Sequence, residues 1–181
     1  MKFTGNCWVY GDDVNTDVIF PGKYTYTLTN INDFASHALE DLDPDFAKQV
    51  KAGDILVAGK NFGNGSSREQ AAVCIKMCGV KVIVAKSFAR IFFRNCVNNG
   101  VLPIVCPEAV DAIQKGDEIT VDIEACQITQ HSALGTRHYT FPPLSPSVMA
   151  IIDAGGLIPM LRRKLGTEHL PMPEVKFAGE G

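Results

Sequence analysis

The chain reads as an α/β domain built on a mixed sheet or partial barrel with helices packed against it. Two patterns point there. Between residues 54 and 114, short apolar runs alternate with segments of helical character, the order expected of parallel strands joined by helices. From residue 119 to 141, three β-rich runs follow one another with short polar breaks, as antiparallel strands do. A length of 181 residues, 46% of them hydrophobic and 20% charged, suits one compact domain, or one with a short tail, that buries a sizeable core.

The elements follow in order. Residues 6–10 read as a strand and 11–22 as a loop. Residues 32–39 read as a short helix capped by Asn32 or Asp33, and 46–50 as a helical turn ending before Gly53. The run Asp54-Ile55-Leu56-Val57-Ala58 is a buried strand, 69–78 a helix and 80–85 a second buried strand. A helix over 88–98 stops at Gly100, a strand covers 102–105, and Pro107 starts a helix that reaches 114 before Gly116. Residues 119–123, 126–129 and 138–141 are the closing antiparallel strands. A helix over 148–154 ends at Gly155-Gly156, and the chain is expected to be loosely held from Pro171 onward.

Composition removes several functional classes. The net charge is −3 with no basic cluster, which argues against nucleic acid as a partner. No apolar run approaches a membrane span, and the start, Met1-Lys2-Phe3-Thr4-Gly5, lacks the apolar stretch of a secretory signal; a cytoplasmic location is expected. The six cysteines, at 7, 74, 78, 96, 106 and 126, contain no Cys-x-x-Cys. Cys74 and Cys78 lie one helical turn apart on an apolar face and read as buried thiols. An iron–sulfur cluster takes three or four placed thiolates, a spacing this chain does not offer, so no metal is expected on it.

Chemistry concentrates between the strand at 54–58 and the helix at 69–78, in Gly59-Lys60-Asn61-Phe62-Gly63-Asn64-Gly65-Ser66-Ser67-Arg68-Glu69-Gln70-Ala71-Ala72. Glycines let a backbone turn tightly and approach a ligand. A helix start offers unpaired N–H groups and positive dipole, and Arg68 adds a planar fork for a carboxylate or phosphate. This is an anion-holding turn with the Ser66 hydroxyl at its apex. It is not a Walker A loop, it has Arg68 where a dinucleotide fingerprint needs glycine, and Ser66 lacks the flanks of a nucleophile elbow. On residues alone, Ser66 either caps the helix or does chemistry on the bound anion. Asp17 is either an Asx-type turn stabiliser or an acid facing the site. Arg90 and Arg94, four apart on one helix, read as solvated or intersubunit pairs.

Gly65-Ser66-Ser67-Arg68-Glu69 with Ala71, followed by Ala85-Lys86-Ser87-Phe88-Ala89-Arg90-Ile91, resembles the swivel domain of the aconitase superfamily, a β/β/α fold. Asp12-Asp13-Val14-Asn15-Thr16-Asp17-Val18-Ile19, Pro21-Gly22-Lys23-Tyr24, residues 95–103 and Ala154-Gly155-Gly156-Leu157 extend the match. In collinear order over residues 3–165, the chain is similar to the separate small subunits of 3-isopropylmalate dehydratase and their relatives, leaving 1–165 as the swivel domain and 166–181 as a tail. It departs from that family at Asn64, where cysteine or glutamate is frequent, and at Gln70, where histidine is.

The resemblance implies dehydration and rehydration of a small hydroxy dicarboxylate by a hydro-lyase active only with a large subunit. A [4Fe-4S] cluster is then expected on that partner and none on this chain; whether the isolated chain forms a homo-oligomer is left open. Ser66 becomes the catalytic base, Ser67 and Arg68 the carboxylate holders, and Asp17 the acid of the cleft. Lys23, Tyr24 and Tyr26 line the segment linked to the substrate's variable arm. Tyr26 stands where homoaconitase-like members resemble arginine, which favours an uncharged arm: isopropylmalate of leucine biosynthesis first, then citramalate or 2,3-dimethylmalate, with homoaconitase further behind. A ligand-binding module that kept the fold and lost catalysis is the remaining alternative.

Overall fold

A computed structural model describes residues 1–28, 30–132 and 135–171. Its centre is a seven-stranded mixed sheet made of β1 (Lys2–Val9), β2 (Ile55–Ala58), β3 (Val82–Ala85), β4 (Leu102–Val105), β5 (Glu118–Asp122), β6 (Gln127–Ser132) and β7 (Gly135–Thr140), in the spatial order β4-β3-β2-β1-β5-β6-β7. The first four strands are mutually parallel and the rest pair antiparallel. β1 joins the two halves. Its residues 2–6 pair with β5, whereas Cys7, Trp8 and Val9 pair with Ile55, Leu56 and Val57 of β2.

Two cores follow from this arrangement. Every residue of β2 and β3 is buried, as expected of parallel strands covered on both faces. Leu56, Ala58, Ile83 and Ala85 face one core, with Trp8, Phe20, Phe34, Phe62 and the helix α3 (Gln70–Met77). Ile55, Val57, Val82 and Val84 face the other, beneath Ile119, Val121 and Ile128 of the antiparallel half. β5 alternates buried and less buried residues, the pattern of strands with one face toward a core. Between the strands run α1 (Thr16–Ile19), α2 (Phe46–Gln49), α4 (Arg90–Asn98) and α5 (Pro107–Ala112), and after β7 come α6 (Pro146–Asp153) and α7 (Leu157–Leu165). No helix among the described residues is long and apolar enough to cross a membrane.

Most elements lie where the sequence places them, and three differences are informative. Within the expected loop of residues 11–22, Thr16–Ile19 forms α1, because the Asn15 side chain accepts the Val18 N–H at 2.9 Å and so caps the turn. The expected helix of residues 32–39 is a 3-10 helix over Ile31–His37, capped by Asn30 rather than Asn32 or Asp33. α7 continues the chain past Gly155-Gly156, with Pro159 in its first turn, where a missing N–H costs nothing. The tail expectation for 166–181 falls largely on residues 172–181, outside the described residues.

The thiols are packing groups. Cys7, Cys74, Cys78, Cys96 and Cys106 are buried and Cys126 half-buried, all unpaired. Burial, helped by Asp117 and Asp54, pushes Cys7 up to about 12, and burial alone does the same to Cys78. Such thiols are poor nucleophiles and poor metal ligands. Among the described residues, no group of three or more His, Cys, Asp or Glu side chains stands ready to hold a metal ion.

Phe62 anchors the end of β2 to α4. It is fully buried, with its ring edge-to-face against Phe92 at 5.4 Å. Phe62→Ala is expected to lower unfolding free energy by about 3–5 kcal/mol, measured by urea denaturation, with Phe62→Leu costing clearly less.

Candidate active site at the carboxyl edge of the parallel strands

The loops leaving β1, β2 and β3 lie side by side at the carboxyl ends of these strands, the usual place for a ligand in an open parallel sheet. Backbone bonds lace the first two together: Gly59 N–H to Gly11 O at 3.0 Å, and Asp13 to Lys60 O, Gly63 to Val14 O and Thr16 to Asn64 O, each at 2.8 Å. The third loop is tied in by Phe62 N–H to Ser87 O at 3.0 Å and Ala89 N–H to Phe62 O at 2.9 Å.

Two glycines shape the turn. Gly63 and Gly65 hold φ of 78° and 95°, values L side chains rarely adopt. At Gly63 a Cβ would also sit 2.1 Å from the Phe92 ring. The turn delivers Ser66 well ahead of the helix. α3 begins at Gln70, its cap position is Glu69, and no side chain caps it. Helix capping is therefore not what the Ser66 hydroxyl does.

That hydroxyl is held from two sides. Ser66 Oγ accepts Arg68 Nε–H at 2.9 Å and shares a hydrogen bond of 2.8 Å with Thr16 Oγ1. Arg68 in turn donates from Nη1 to Thr25 Oγ1 at 2.8 Å, and its Nη2 pairs with the Asp17 carboxylate. Asp17 is thus brought into one constellation with Ser66 and Arg68, from which it is distant in sequence. The guanidinium touches the serine oxygen, stabilises negative charge there, and has its outer edge on a carboxylate that is 60% exposed. Ser67 is exposed beside it, its carbonyl accepting Asn95 Nδ2–H at 3.2 Å.

The other expected contacts are arranged differently. Lys23 Nζ bonds Glu40 at 2.8 Å and lies 4.9 Å from the centre of the Tyr24 ring. The hydrogen bond to Glu40 raises the Lys23 ammonium above its ordinary value. Tyr24 stacks on His37 with ring centres 3.8 Å apart. Both residues are tied to the 37–40 segment, while Tyr26 is 73% exposed and free to meet a ligand. Arg90 and Arg94 are exposed on α4, and their side chains make no hydrogen bond or ion pair with the described residues.

Thr16 and Thr25 are site members that sequence reasoning did not select. Both are buried, at 1% and 7% exposure. The signal was slight: Thr16 sits inside the Asn15-Thr16-Asp17 motif, but a threonine hydroxyl carries no charge or spacing that announces its partner.

Comparison with known proteins identifies the family of the chain. The family model described as the aconitase C-terminal domain matches residues 13–109. A 3-isopropylmalate dehydratase small subunit of Aquifex aeolicus is 49% identical over 170 residues, covering 93% of this chain and 99% of its own length. That of Heliobacterium modesticaldum is 46% identical over 165 residues, covering 91% and 98%. The crystal structure of a 3-isopropylmalate dehydratase from Methanocaldococcus jannaschii superposes with a TM-score of 0.85 at 41% identity, covering 94% of this chain and 100% of that one. Aconitase X of Thermococcus kodakaraensis, 14% identical with a TM-score of 0.51 over 73% of this chain and 92% of its own, shares the fold. Matched through its site-bearing half by the domain model and along nearly its whole length by these subunits, the chain belongs to the aconitase C-terminal domain family, among the 3-isopropylmalate dehydratase small subunits.

Proposed function

We propose that this chain is the small subunit of a heteromeric hydro-lyase that interconverts 2- and 3-isopropylmalate in leucine biosynthesis, acting in the cytoplasm with a cluster-bearing large subunit. One observation carries the reading: the Ser66 hydroxyl accepts Arg68 Nε–H at the strand edge, in a chain that aligns over 91% and 93% of its length with two subunits of that name.

The chemistry assigned to the chain's own residues is proton transfer. Ser66 takes the proton from the carbon next to a substrate carboxylate. The neighbouring C–O bond breaks, hydroxide leaves, a carbon–carbon double bond forms, and water adds back in the opposite sense. A [4Fe-4S] cluster on the large subunit supplies Lewis-acid chemistry for the departing hydroxyl. The separated, buried thiols of this chain do not fit such a group. A free serine hydroxyl is too weak an acid to serve as base, and the Arg68 N–H favours its alkoxide. The same guanidinium, with the Ser67 hydroxyl, takes the substrate carboxylate whose charge grows as the C–H bond breaks. Asp17 yields its place on Nη2 as that carboxylate arrives.

Substrate choice is assigned to the arm-facing segment. Lys23 already has an anion in Glu40, so it does not call for a further carboxylate. Tyr26 offers an exposed aromatic face that suits an alkyl arm.

The test is co-expression with the large subunit in the absence of oxygen, then assay against isopropylmalate, citramalate, 2,3-dimethylmalate and homocitrate. The complex is expected to turn over isopropylmalate fastest, and this chain alone to be inactive. Ser66→Ala should reduce turnover by at least about 10²–10⁴-fold while the complex still assembles; intact turnover in the Ser66→Ala complex rules the base assignment out. Tyr26→Arg should move the activity ratio toward homocitrate by about tenfold or more, and an unchanged ratio removes Tyr26 from substrate selection.

A further inference from the structure

We propose that Thr16 is a positioning residue for Ser66, its hydroxyl proton turning between two acceptors as Ser66 loses and regains its own proton. This rests on the reading of Ser66 as the base. The geometry behind it is independent of that reading. Thr16 is the first residue of α1, yet it does not cap that helix; Asn15 does, by accepting the Val18 N–H. The Thr16 hydroxyl is left for Ser66. Thr16 Oγ1 accepts the Ser66 N–H at 2.9 Å, lies 2.8 Å from Ser66 Oγ and 3.3 Å from Ser66 O. All three are polar atoms of one residue, gathered around a hydroxyl on a side chain that is 1% exposed.

A threonine hydroxyl has one proton and two lone pairs. One lone pair is taken by the Ser66 N–H, which leaves two arrangements. With Ser66 protonated, its O–H donates to Thr16 Oγ1, and the Thr16 proton points to the Ser66 carbonyl along the longer, 3.3 Å contact. With Ser66 ionised, the Thr16 proton turns to Ser66 Oγ at 2.8 Å and joins Arg68 Nε–H as a second donor. The alkoxide gains a donor by rotation of one O–H bond, with no backbone movement. Thr16 keeps its own proton throughout. The proton taken from substrate carbon stays on Ser66 Oγ until it is returned, so the balance closes on Ser66 alone. The Thr16 methyl restricts χ1 and keeps the oxygen beside Ser66, so the only reorganisation needed to stabilise the charge is the turn of that one O–H bond.

The test uses the assembled enzyme with Thr16→Val, which keeps the shape and removes the hydroxyl, and Thr16→Ser, which keeps the hydroxyl. Thr16→Val is expected to lower kcat by about 10²–10³-fold with KM within about twofold, against a well-assembled complex. The limb of kcat/KM that rises with pH should move to higher pH, because an alkoxide that loses a donor forms less readily. Thr16→Ser should restore most of the rate and the limb. Added to Ser66→Ala, Thr16→Val should cost nothing further, since it acts through that oxygen. A Thr16→Val enzyme with wild-type kcat and pH profile overturns the proposal. So does a loss wholly explained by less assembled complex, or a Thr16→Ser enzyme as impaired as Thr16→Val. A fully active Ser66→Ala complex refutes the base itself, whereas an inactive one beside an unaffected Thr16→Val enzyme refutes only the role of Thr16.

Discussion

The seam of backbone hydrogen bonds between residues 11–16 and 59–64 is the constraint on which the site depends. It runs between two loops that leave neighbouring parallel strands, and β1 and β2 set its register. Thr16 and Asp17 come from one side of the seam, Ser66 and Arg68 from the other. The bonds of the seam involve none of their side chains, and Thr16 takes part through its backbone N–H to Asn64 O. Phe62, packed into α4 beneath the turn, and Asn95, holding the Ser67 carbonyl, support the second loop from below. A side chain carried on a loop keeps a fixed place only with such backing.

Two cations at this edge are paired internally. Arg68 rests on Asp17 and Lys23 on Glu40. Pairs this exposed contribute little, about 0–1 kcal/mol each, so neither is a large term in stability. What the pairs do is keep two long cations extended and oriented. The hydroxyls of Thr25 and Ser66 restrict Arg68 further, and together they give the guanidinium a fixed plane.

Helices and strands over residues 54–114 were legible because strong apolar runs there are punctuated by glycine and proline at each change of direction. α7 was not, since none of its residues is buried and Pro159 lies within it. The segment 31–37 has a helical pattern but buries only Phe34, and with so little packing to reward a full α-helix it winds as a 3-10 helix. Capping by Asn15 and Asn30 was missed because asparagine in a polar loop has many local uses, and only the backbone around it selects one.

The order of residues by itself determined the fold class, the turn that carries Ser66 and Arg68, and the family, because those are written in local runs and contiguous motifs. Tertiary structure alone decided what each group touches. Whether Ser66 caps a helix or meets a guanidinium, whether Lys23 faces the cleft or Glu40, and whether Thr16 is spent on its own helix or on Ser66 all turn on how the chain folds back on itself. Thr16 and Ser66 meet across 50 residues. That meeting exists only once parallel pairing of β1 and β2 brings their exit loops together, and no local pattern in the chain encodes that distance.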